Sequence, residues 1–171
     1  MIIKSVHLRN IRSYTDTKLV FPQGSVLLSG DIGSGKTSIL LALEFALFGM
    51  RRLELSGESL LRNGKNEGFV ELVFEIEGKE FIMKRSLKRS NEDVKQIAGY
   101  LIRDNKKMEG TAIELKSMML DLLGYPPSLL TKSKDLLFRY TVYTPQEEMK
   151  RILFEDKETR VDTLRKVFGI D

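Results

Sequence analysis

The sequence predicts an α/β fold of the P-loop NTPase class, and three neighbouring features support this prediction. The stretch Gly30–Thr37, GDIGSGKT, fits the G-x-x-x-x-G-K-[ST] pattern of a loop that binds triphosphates. The apolar run Ser25–Ser29 directly precedes it and is typical of a buried strand. The segment Ser38–Phe48 is apolar on nearly all sides, which indicates a buried helix that ends at Gly49. Strand, glycine loop and helix in this order are the setting that the motif requires.

The chemistry of phosphate binding explains each residue type in the loop. Glycine adopts backbone conformations that are closed to other residues, so successive N–H groups can converge on phosphate oxygens. The start of the helix adds unpaired N–H donors and a positive dipole end. Lys36 can reach the β- and γ-phosphates, and the Thr37 hydroxyl can ligate Mg²⁺. A glycine turn that only capped a helix would leave the Lys36–Thr37 pair unexplained. We expect phosphate contacts from Gly30, Ile32, Gly33, Ser34, Gly35, Lys36, Thr37 and Ser38.

Length and composition describe one globular domain. The chain has 171 residues, of which 42% are hydrophobic and 30% are charged. No stretch approaches the ~18 apolar residues of a membrane span, and the first residues lack the layout of a signal peptide. The absence of cysteine excludes disulfides and agrees with a reducing compartment. The composition therefore predicts a cytoplasmic protein without a membrane partner.

Strand patterns occupy the first part of the chain and its middle. Alternation and turn residues predict an antiparallel β section over 69–108, with a hairpin at Gly78–Lys79. In its first strand Val70, Leu72, Phe74 and Ile76 share one face. The predicted strands are 2–8, 17–21, 69–77, 80–88 and 96–103.

Helices are predicted beyond Gly110. Thr111–Glu114 fits a capping box and begins a helix that stops at Gly124. Thr144–Glu147 fits a second capping box, which places Gln146 just inside a helix that follows a strand. The remaining predicted elements are a helix over 129–138, a strand over 140–143 and a helix over 156–168.

Positive charge is concentrated in the middle section. The formal net charge is +4, and residues 79–108 hold nine Lys or Arg against four Asp or Glu. Two interpretations stand side by side: a contact with a polyanion such as DNA, or a solvated outer face of strands. The candidate DNA contacts are Lys84, Arg85, Lys88 and Arg89.

Two parts of a complete P-loop NTPase are missing from the sequence. Such an enzyme needs an acidic residue after a second apolar strand to hold hydrated Mg²⁺. The nearest string, Ser117–Asp121, falls within a helical period and is rejected as that strand. Leu55–Glu58, LSGE, resembles an ABC signature by coincidence, because it precedes an antiparallel strand. We predict a chain that binds a nucleotide and lacks the parts to hydrolyse it.

Three stretches together resemble the SMC-like ABC ATPases. Asn10–Tyr14, NIRSY, resembles their N-F-R-S stretch, and Leu60–Gly64, LLRNG, resembles their L-I-R-x-G element. Tyr143–Glu147, YTPQE, is similar to their Q-loop. Within that superfamily the sequence is most similar to the SbcC-like double-strand-break repair ATPases, over residues 1–171. The resemblance implies the N-terminal half of a split ATPase head, whose signature and Mg²⁺-binding acidic motif lie in a C-terminal half beyond a coiled-coil arm.

The resemblance also implies roles for individual residues, with ATP and Mg²⁺ as cofactors. Arg12 would approach the nucleotide, and Arg62 with Asn63 would border its base or ribose. Gln146 would ligate Mg²⁺ or sense the γ-phosphate. One departure is Ile32, where the family usually has Asn, preceded here by the charged Asp31.

The implied organisation is one half-domain over 1–171. It comprises a P-loop core (1–50), the antiparallel section (69–108) and a helical section with the Q-loop (111–171). The implied partners are the C-terminal half of the same head, a second head in a homodimer around ATP, a nuclease, and double-stranded DNA. In a prokaryote such a protein would be associated with the nucleoid.

Three alternatives remain open. A chromosome-organising SMC head or a RecF-like recombination protein would share the motifs and differ in its partner. A small P-loop kinase would need an acceptor pocket and a lid with arginines, which suits the middle sheet and the Q-loop poorly. A DNA-binding module with a decayed nucleotide site would bind DNA in a salt-sensitive manner that ignores ATP.

Overall fold

The computed structural model describes residues 1–50, 55–91, 93–124, 154, 156–158, 160, 161 and 165. The chain divides into two compact units, Met1–Leu122 and Leu123–Asp171. The strands and helices described up to residue 122 belong to the first unit. The predicted helix over 129–138, the strand over 140–143 and Gln146 lie outside the described residues. In the predicted helix over 156–168, residues 157, 158, 160, 161 and 165 are helical.

A single antiparallel sheet of six strands forms the body of the first unit, in the order β2-β1-β3-β4-β5-β6. This confirms the antiparallel middle section. It also joins the first two strands to that section, so the described residues contain no separate P-loop sheet. The sixth strand was not predicted. The strands are β1 (Ile2–Ile11), β2 (Tyr14–Val20), β3 (Glu67–Ile76), β4 (Lys79–Ser90), β5 (Asp93–Arg103) and β6 (Lys106–Gly110).

Three helices accompany the sheet, and they are α1 (Lys36–Phe48), α2 (Gly57–Leu60) and α3 (Ala112–Leu122). The helix α1 lies against β1, β3 and β4, while α3 lies against β5 and β6. One face of the sheet is therefore the core face, where Leu8, Leu72 and Phe74 are fully buried, as is Phe45 of α1. Burial of each such side chain stabilises the fold by about 2 kcal/mol.

The ends of the two long helices confirm the predicted signals. Gly49 follows α1 with φ 79°, and its N–H donates to the Phe45 carbonyl at 2.8 Å. At the start of α3, the Thr111 N–H donates to Glu114 Oε2 at 2.7 Å. The Glu114 N–H donates back to Thr111 Oγ1 at 3.4 Å, which completes the capping box. The string Ser117–Asp121 lies inside α3, as its helical period indicated.

The apolar run before the P-loop is not a strand, and that prediction was wrong. Residues 25–30 belong to no helix or strand, Val26 is 42% exposed and Leu27 is 89% exposed. A strand needs a hydrogen-bonded neighbour, and no described residue pairs with this segment. The run has the composition of a core strand, but a strand that pairs with it would have to come from outside the described residues.

Candidate nucleotide-binding site

A cavity of about 420 Å³ lies where the P-loop meets the turn between β1 and β2. The turn contributes Arg12 and Ser13, so the structure brings the predicted arginine to the predicted phosphate loop. Ser13 was not among the residues expected from the sequence. The remaining lining residues are Gly33, Gly35, Lys36, Thr37 and Ser38.

The start of α1 is built to receive an anion. Its N-cap residue is Gly35, which adopts φ 97° and offers no side-chain cap. The first turn of α1 carries no acidic residue. The first N–H groups of a helix have no partner within the helix, and the positive end of the helix dipole lies at the same place. These two features fit a phosphate group, and the exposed Thr37 hydroxyl is an oxygen ligand of the kind that Mg²⁺ prefers.

The Lys36 ammonium is held by the loop itself. Its Nζ donates to the Gly30 carbonyl at 2.7 Å and to the Asp31 carbonyl at 2.8 Å. A longer bond of 3.3 Å reaches Ser34 Oγ. These partners are neutral oxygens and not carboxylates, so they fix the position of the ammonium without forming an ion pair with it. It can therefore bind an anionic phosphate without first breaking an ion pair.

Gly35 is also the point where the β1–β2 turn touches the P-loop. A Cβ atom at this position would lie 2.9 Å from Tyr14 Oη and 3.0 Å from Ser13 Oγ. The Tyr14 hydroxyl donates to the Gly35 carbonyl at 3.4 Å. Glycine is therefore favoured here by φ, and a side chain at this position would also have to displace the ends of these two side chains. Tyr14, at the end of the NIRSY stretch, is a further contact that the sequence did not assign.

The other predicted nucleotide contacts have different surroundings. Arg12 Nη1 donates to the Ser59 carbonyl at 3.4 Å, whereas Arg62 Nη1 donates to the carbonyls of Arg12 and Ser13. Arg62 and Asn63 are not among the residues that line the cavity. Ile32 is fully exposed at the tip of the loop, where it offers an apolar side chain in place of an amide. Gln146 lies outside the described residues.

A second hollow, of about 600 Å³, lies on the sheet face opposite the core. Two cations line it, Arg9 from β1 and Lys84 from β4. The Lys84 ammonium lies 3.9 Å from the centre of the Phe69 ring, and Lys88 pairs with Glu67 at 3.2 Å. Arg9 was missed by the sequence analysis because it lies far from the basic segment along the chain and is brought to Phe69 only by the β1–β3 pairing.

The structure corrects the expectation that Arg85 contacts DNA. Arg85 has no exposed surface, because it alternates in phase with the core residues Met83 and Leu87. Its guanidinium donates to the Ala46 carbonyl at 2.8 Å and to the Leu47 carbonyl at 3.2 Å, at the last turn of α1. Burial lowers the pKa of Arg85 to about 10, so the side chain is still charged at neutral pH.

The four basic residues of the middle section are thus not one surface. Lys84 and Lys88 share the outer face of β4, whereas Arg89 alternates in phase with Arg85 and donates from Nε to the Lys65 carbonyl at 3.4 Å. The signal that separates them is the period of two along β4, in which every second residue from Phe81 to Leu87 is buried.

The described residues contain no group of three or more His, Cys, Asp or Glu side chains that could hold a metal ion. In the same part of the chain no helix combines the length and the apolar character that crossing a membrane requires.

Comparisons with known proteins extend over the whole chain. The chain is 27% identical over 171 residues to the DNA double-strand break repair Rad50 ATPase of Methanocaldococcus jannaschii, covering 100% of this chain and 16% of that protein. It is 31% identical over 172 residues to the Rad50 ATPase of Thermoplasma acidophilum, and this match covers 100% of this chain and 18% of that protein. It is also similar to the SMC head domain from Thermotoga maritima, with 21% identity and a TM-score of 0.41 over 69% of this chain and 42% of that one.

The chain spans about a sixth of the length of these two curated relatives. A family model described as an AAA domain matches residues 5–169, which is nearly the entire sequence. These matches confirm the resemblance inferred from the motifs. The chain belongs to the AAA-domain family.

Proposed function

We propose that residues 1–171 are the ATP-binding half of a head of a DNA double-strand-break repair ATPase. The observation that carries this proposal is the cavity of about 420 Å³ in which Arg12 meets Lys36 and Thr37 at the uncapped start of α1. Two cations and unpaired helix N–H groups suit a triphosphate. The Rad50 proteins to which the chain is similar are named as ATPases, which supports ATP as the ligand.

Each part of the site would have a separate role. The N–H groups at the start of α1 would bind phosphate oxygens, and Lys36 would neutralise charge at the β- and γ-phosphates. The Thr37 hydroxyl would ligate Mg²⁺, which screens the phosphate charge. Gln146 would be a second ligand or a γ-phosphate sensor, a role that rests on the resemblance of its motif. Because the loop carbonyls already hold Lys36, less ordering entropy opposes binding.

An apolar groove supports the proposal that another polypeptide segment completes the head. The groove has a volume of about 570 Å³ and lies beside the unpaired run 25–29. Together with the exposed Leu27, it presents apolar surface that a soluble protein would cover. We infer that the C-terminal half of the same head covers this face and supplies a strand to the run. Lining residues include Met1, Ile2, Phe21, Val26, Leu28 and Leu40.

Hydrolysis and assembly would follow from that completion. The C-terminal half would supply the signature and the acidic Mg²⁺ ligand. Two heads would then enclose ATP between the P-loop of one and the signature of the other. ATP would favour the closed dimer and hydrolysis the open one, because a ligand shifts a population toward the state that it binds better. In a DNA-repair role the dimer would act on double-stranded DNA with a nuclease partner, in the cytoplasm.

The outer-face hollow is the proposed DNA contact. Arg9, Lys84 and Lys88 lie on one face of the sheet, and such cations bind phosphates of the DNA backbone. Phe69 beneath Lys84 orders its long side chain, which reduces the entropy lost on binding. Arg89 is the fourth candidate, at the end of β4.

The experiment that tests the function compares Lys36→Ala with Lys18→Ala, an exposed lysine on β2, in heads reconstituted with the C-terminal half. ATP affinity is measured by titration calorimetry, and dimerisation by sedimentation with and without ATP. We expect Lys36→Ala to weaken ATP binding by at least about tenfold, from the loss of a charge-assisted contact, and to abolish ATP-dependent dimerisation. Unchanged ATP-driven dimers in that variant would refute the proposal.

The inferred strand pairing has its own test. Backbone hydrogen exchange at residues 26–29 should slow in the reconstituted head, because a strand from the C-terminal half would pair with this run.

A further inference from the structure

The turn between β1 and β2 has an unusual backbone. Asn10 has φ 52° and Arg12 has φ 48°, so two non-glycine residues on either side of Ile11 adopt the left-handed region. L-residues rarely adopt this region, and such a conformation persists only where its surroundings hold it. The contacts that hold this turn therefore also determine where Arg12, Ser13 and Tyr14 lie.

The segment over residues 59–62 holds one side of the turn. The Arg12 N–H donates to the Leu60 carbonyl at 2.8 Å, and the Arg62 N–H donates to the Asn10 carbonyl at 2.9 Å. The Arg62 side chain adds two more bonds, since its Nη1 donates to the Arg12 carbonyl at 3.0 Å and to the Ser13 carbonyl at 2.7 Å. One guanidinium thus bridges two successive carbonyls at the strained part of the turn.

The opposite side of the turn contacts the phosphate loop. The side chains of Ser13 and Tyr14 approach Gly35 closely, since a Cβ atom there would lie 3.0 Å from Ser13 Oγ and 2.9 Å from Tyr14 Oη. The same turn places Arg12 in the wall of the cavity. The turn therefore lies between the segment over 59–62 and the P-loop and contacts both. A shift of the turn would move a cavity-lining cation and remove the support of Gly35.

We propose that Arg62 is a positioning residue for the phosphate site. It acts on the site only by holding this turn in place. The proposal rests on the proposed ATP-binding function and deepens it. It differs from the role that the resemblance implied, because Nη1 of Arg62 is bound to main-chain carbonyls and Arg62 does not line the cavity. Arg62 therefore supports binding of the triphosphate and not recognition of the base or ribose.

Inorganic tripolyphosphate separates these two roles, since it carries the phosphates of ATP without base or ribose. In the full natural chain with Mg²⁺, ATP and tripolyphosphate each displace a fluorescent ATP analogue, and their affinities are compared in wild type and Arg62→Met. If Arg62 positions the turn, both affinities fall by the same factor, about tenfold for the loss of two charge-assisted bonds. If ATP affinity falls while tripolyphosphate affinity is unchanged, Arg62 contacts the nucleoside and the proposal is overturned.

Two further variants control for charge. Lys65→Met removes a positive charge from an exposed position three residues away, and neither affinity should change. Arg62→Lys keeps the charge but cannot reproduce the planar guanidinium, so it should restore only part of both affinities. Full restoration by lysine would mean that charge alone acts, and would overturn the positioning role. Loss of ATP binding by the wild-type chain would instead refute the proposed function, so the two failures are distinguishable.

Discussion

Single side chains show how two adjacent basic residues of β4 can have opposite surroundings. Lys84 lies over an aromatic ring on the outer face, whereas Arg85 is fully buried and donates to carbonyls at the end of the P-loop helix. The Arg85 Nη1 also donates to the Ala112 carbonyl at 3.4 Å, so one guanidinium joins α1, β4 and the start of α3.

This arrangement predicts that Arg85→Met is strongly destabilising. The substitution preserves much of the side-chain volume but leaves buried carbonyls of α1 without donors. We expect the free energy of unfolding to fall by about 3 kcal/mol, measured by urea denaturation. The matched control is Lys106→Met, which removes an exposed positive charge and should change stability by less than about 0.5 kcal/mol. An equal effect in both variants would show that the buried bonds contribute nothing.

The strands of the sheet bring distant parts of the chain into register. Across the outer face, Glu71 of β3 lies opposite Lys84 of β4, and Lys84 lies opposite Tyr100 of β5. The Tyr100 hydroxyl donates to Glu71 Oε2 at 2.6 Å, two strands away. Burial, together with the hydrogen bond and the charge of Glu71, raises the pKa of Tyr100 to about 12.

The raised pKa makes the sheet sensitive to alkali. The unfolded tyrosine ionises near pH 10 and the folded one near 12, so in this window the unfolded state loses its proton first. The stability of the wild type relative to Tyr100→Phe should therefore be constant below pH 10 and fall between pH 10 and 12. We expect a fall of about 1 kcal/mol, since solvent screens the partly exposed pair. Urea denaturation at pH 9 and at pH 11.5 measures it, and the fall should shrink in a Glu71→Gln background.

The two faces of the sheet in the first compact unit carry different features. Its core face holds the P-loop helix, and its outer face carries the basic hollow, with Arg85 and Lys84 as neighbours on β4 that point to opposite sides. The helix α3 packs at the far edge of the sheet. In its capping box, hydrogen bonds from Thr111 keep the pKa of Glu114 below its usual range. The proposed ATP site and the proposed DNA site thus share one sheet.

For the unit as a whole, we predict that the outer face determines the salt dependence of DNA binding. Neutralising Arg9, Lys84 and Lys88 to Gln should weaken binding to a DNA duplex and reduce the slope of log K against log salt by about 2 to 3. The charge-matched control neutralises three lysines at turns and strand starts, Lys65, Lys79 and Lys106. Adding Arg89→Gln to the first variant tests whether that residue belongs to the contact. An unaltered slope would show that these cations do not contact DNA and only form a solvated face of the sheet.

Local patterns in the sequence were sufficient for the P-loop, the helix that follows it, the capping box of α3 and the alternating strands of the middle section. Each depends on residues that are neighbours along the chain, where turn chemistry and periodicity act directly. The same patterns indicated which faces of β3 are buried, since Val70, Leu72 and Phe74 are fully buried.

Tertiary structure alone decided the rest. The run 25–29 reads as a strand but has no neighbour among the described residues, because pairing is a property of two segments and not of one. Arg9 joins Lys84, and Arg62 reaches the turn at Arg12, only because pairing and loop contacts bring residues about 50 or more positions apart together. The period of two along β4 puts Arg85 in phase with the core residues, but only the tertiary structure brings the carbonyls of α1 and α3 that accept its hydrogen bonds.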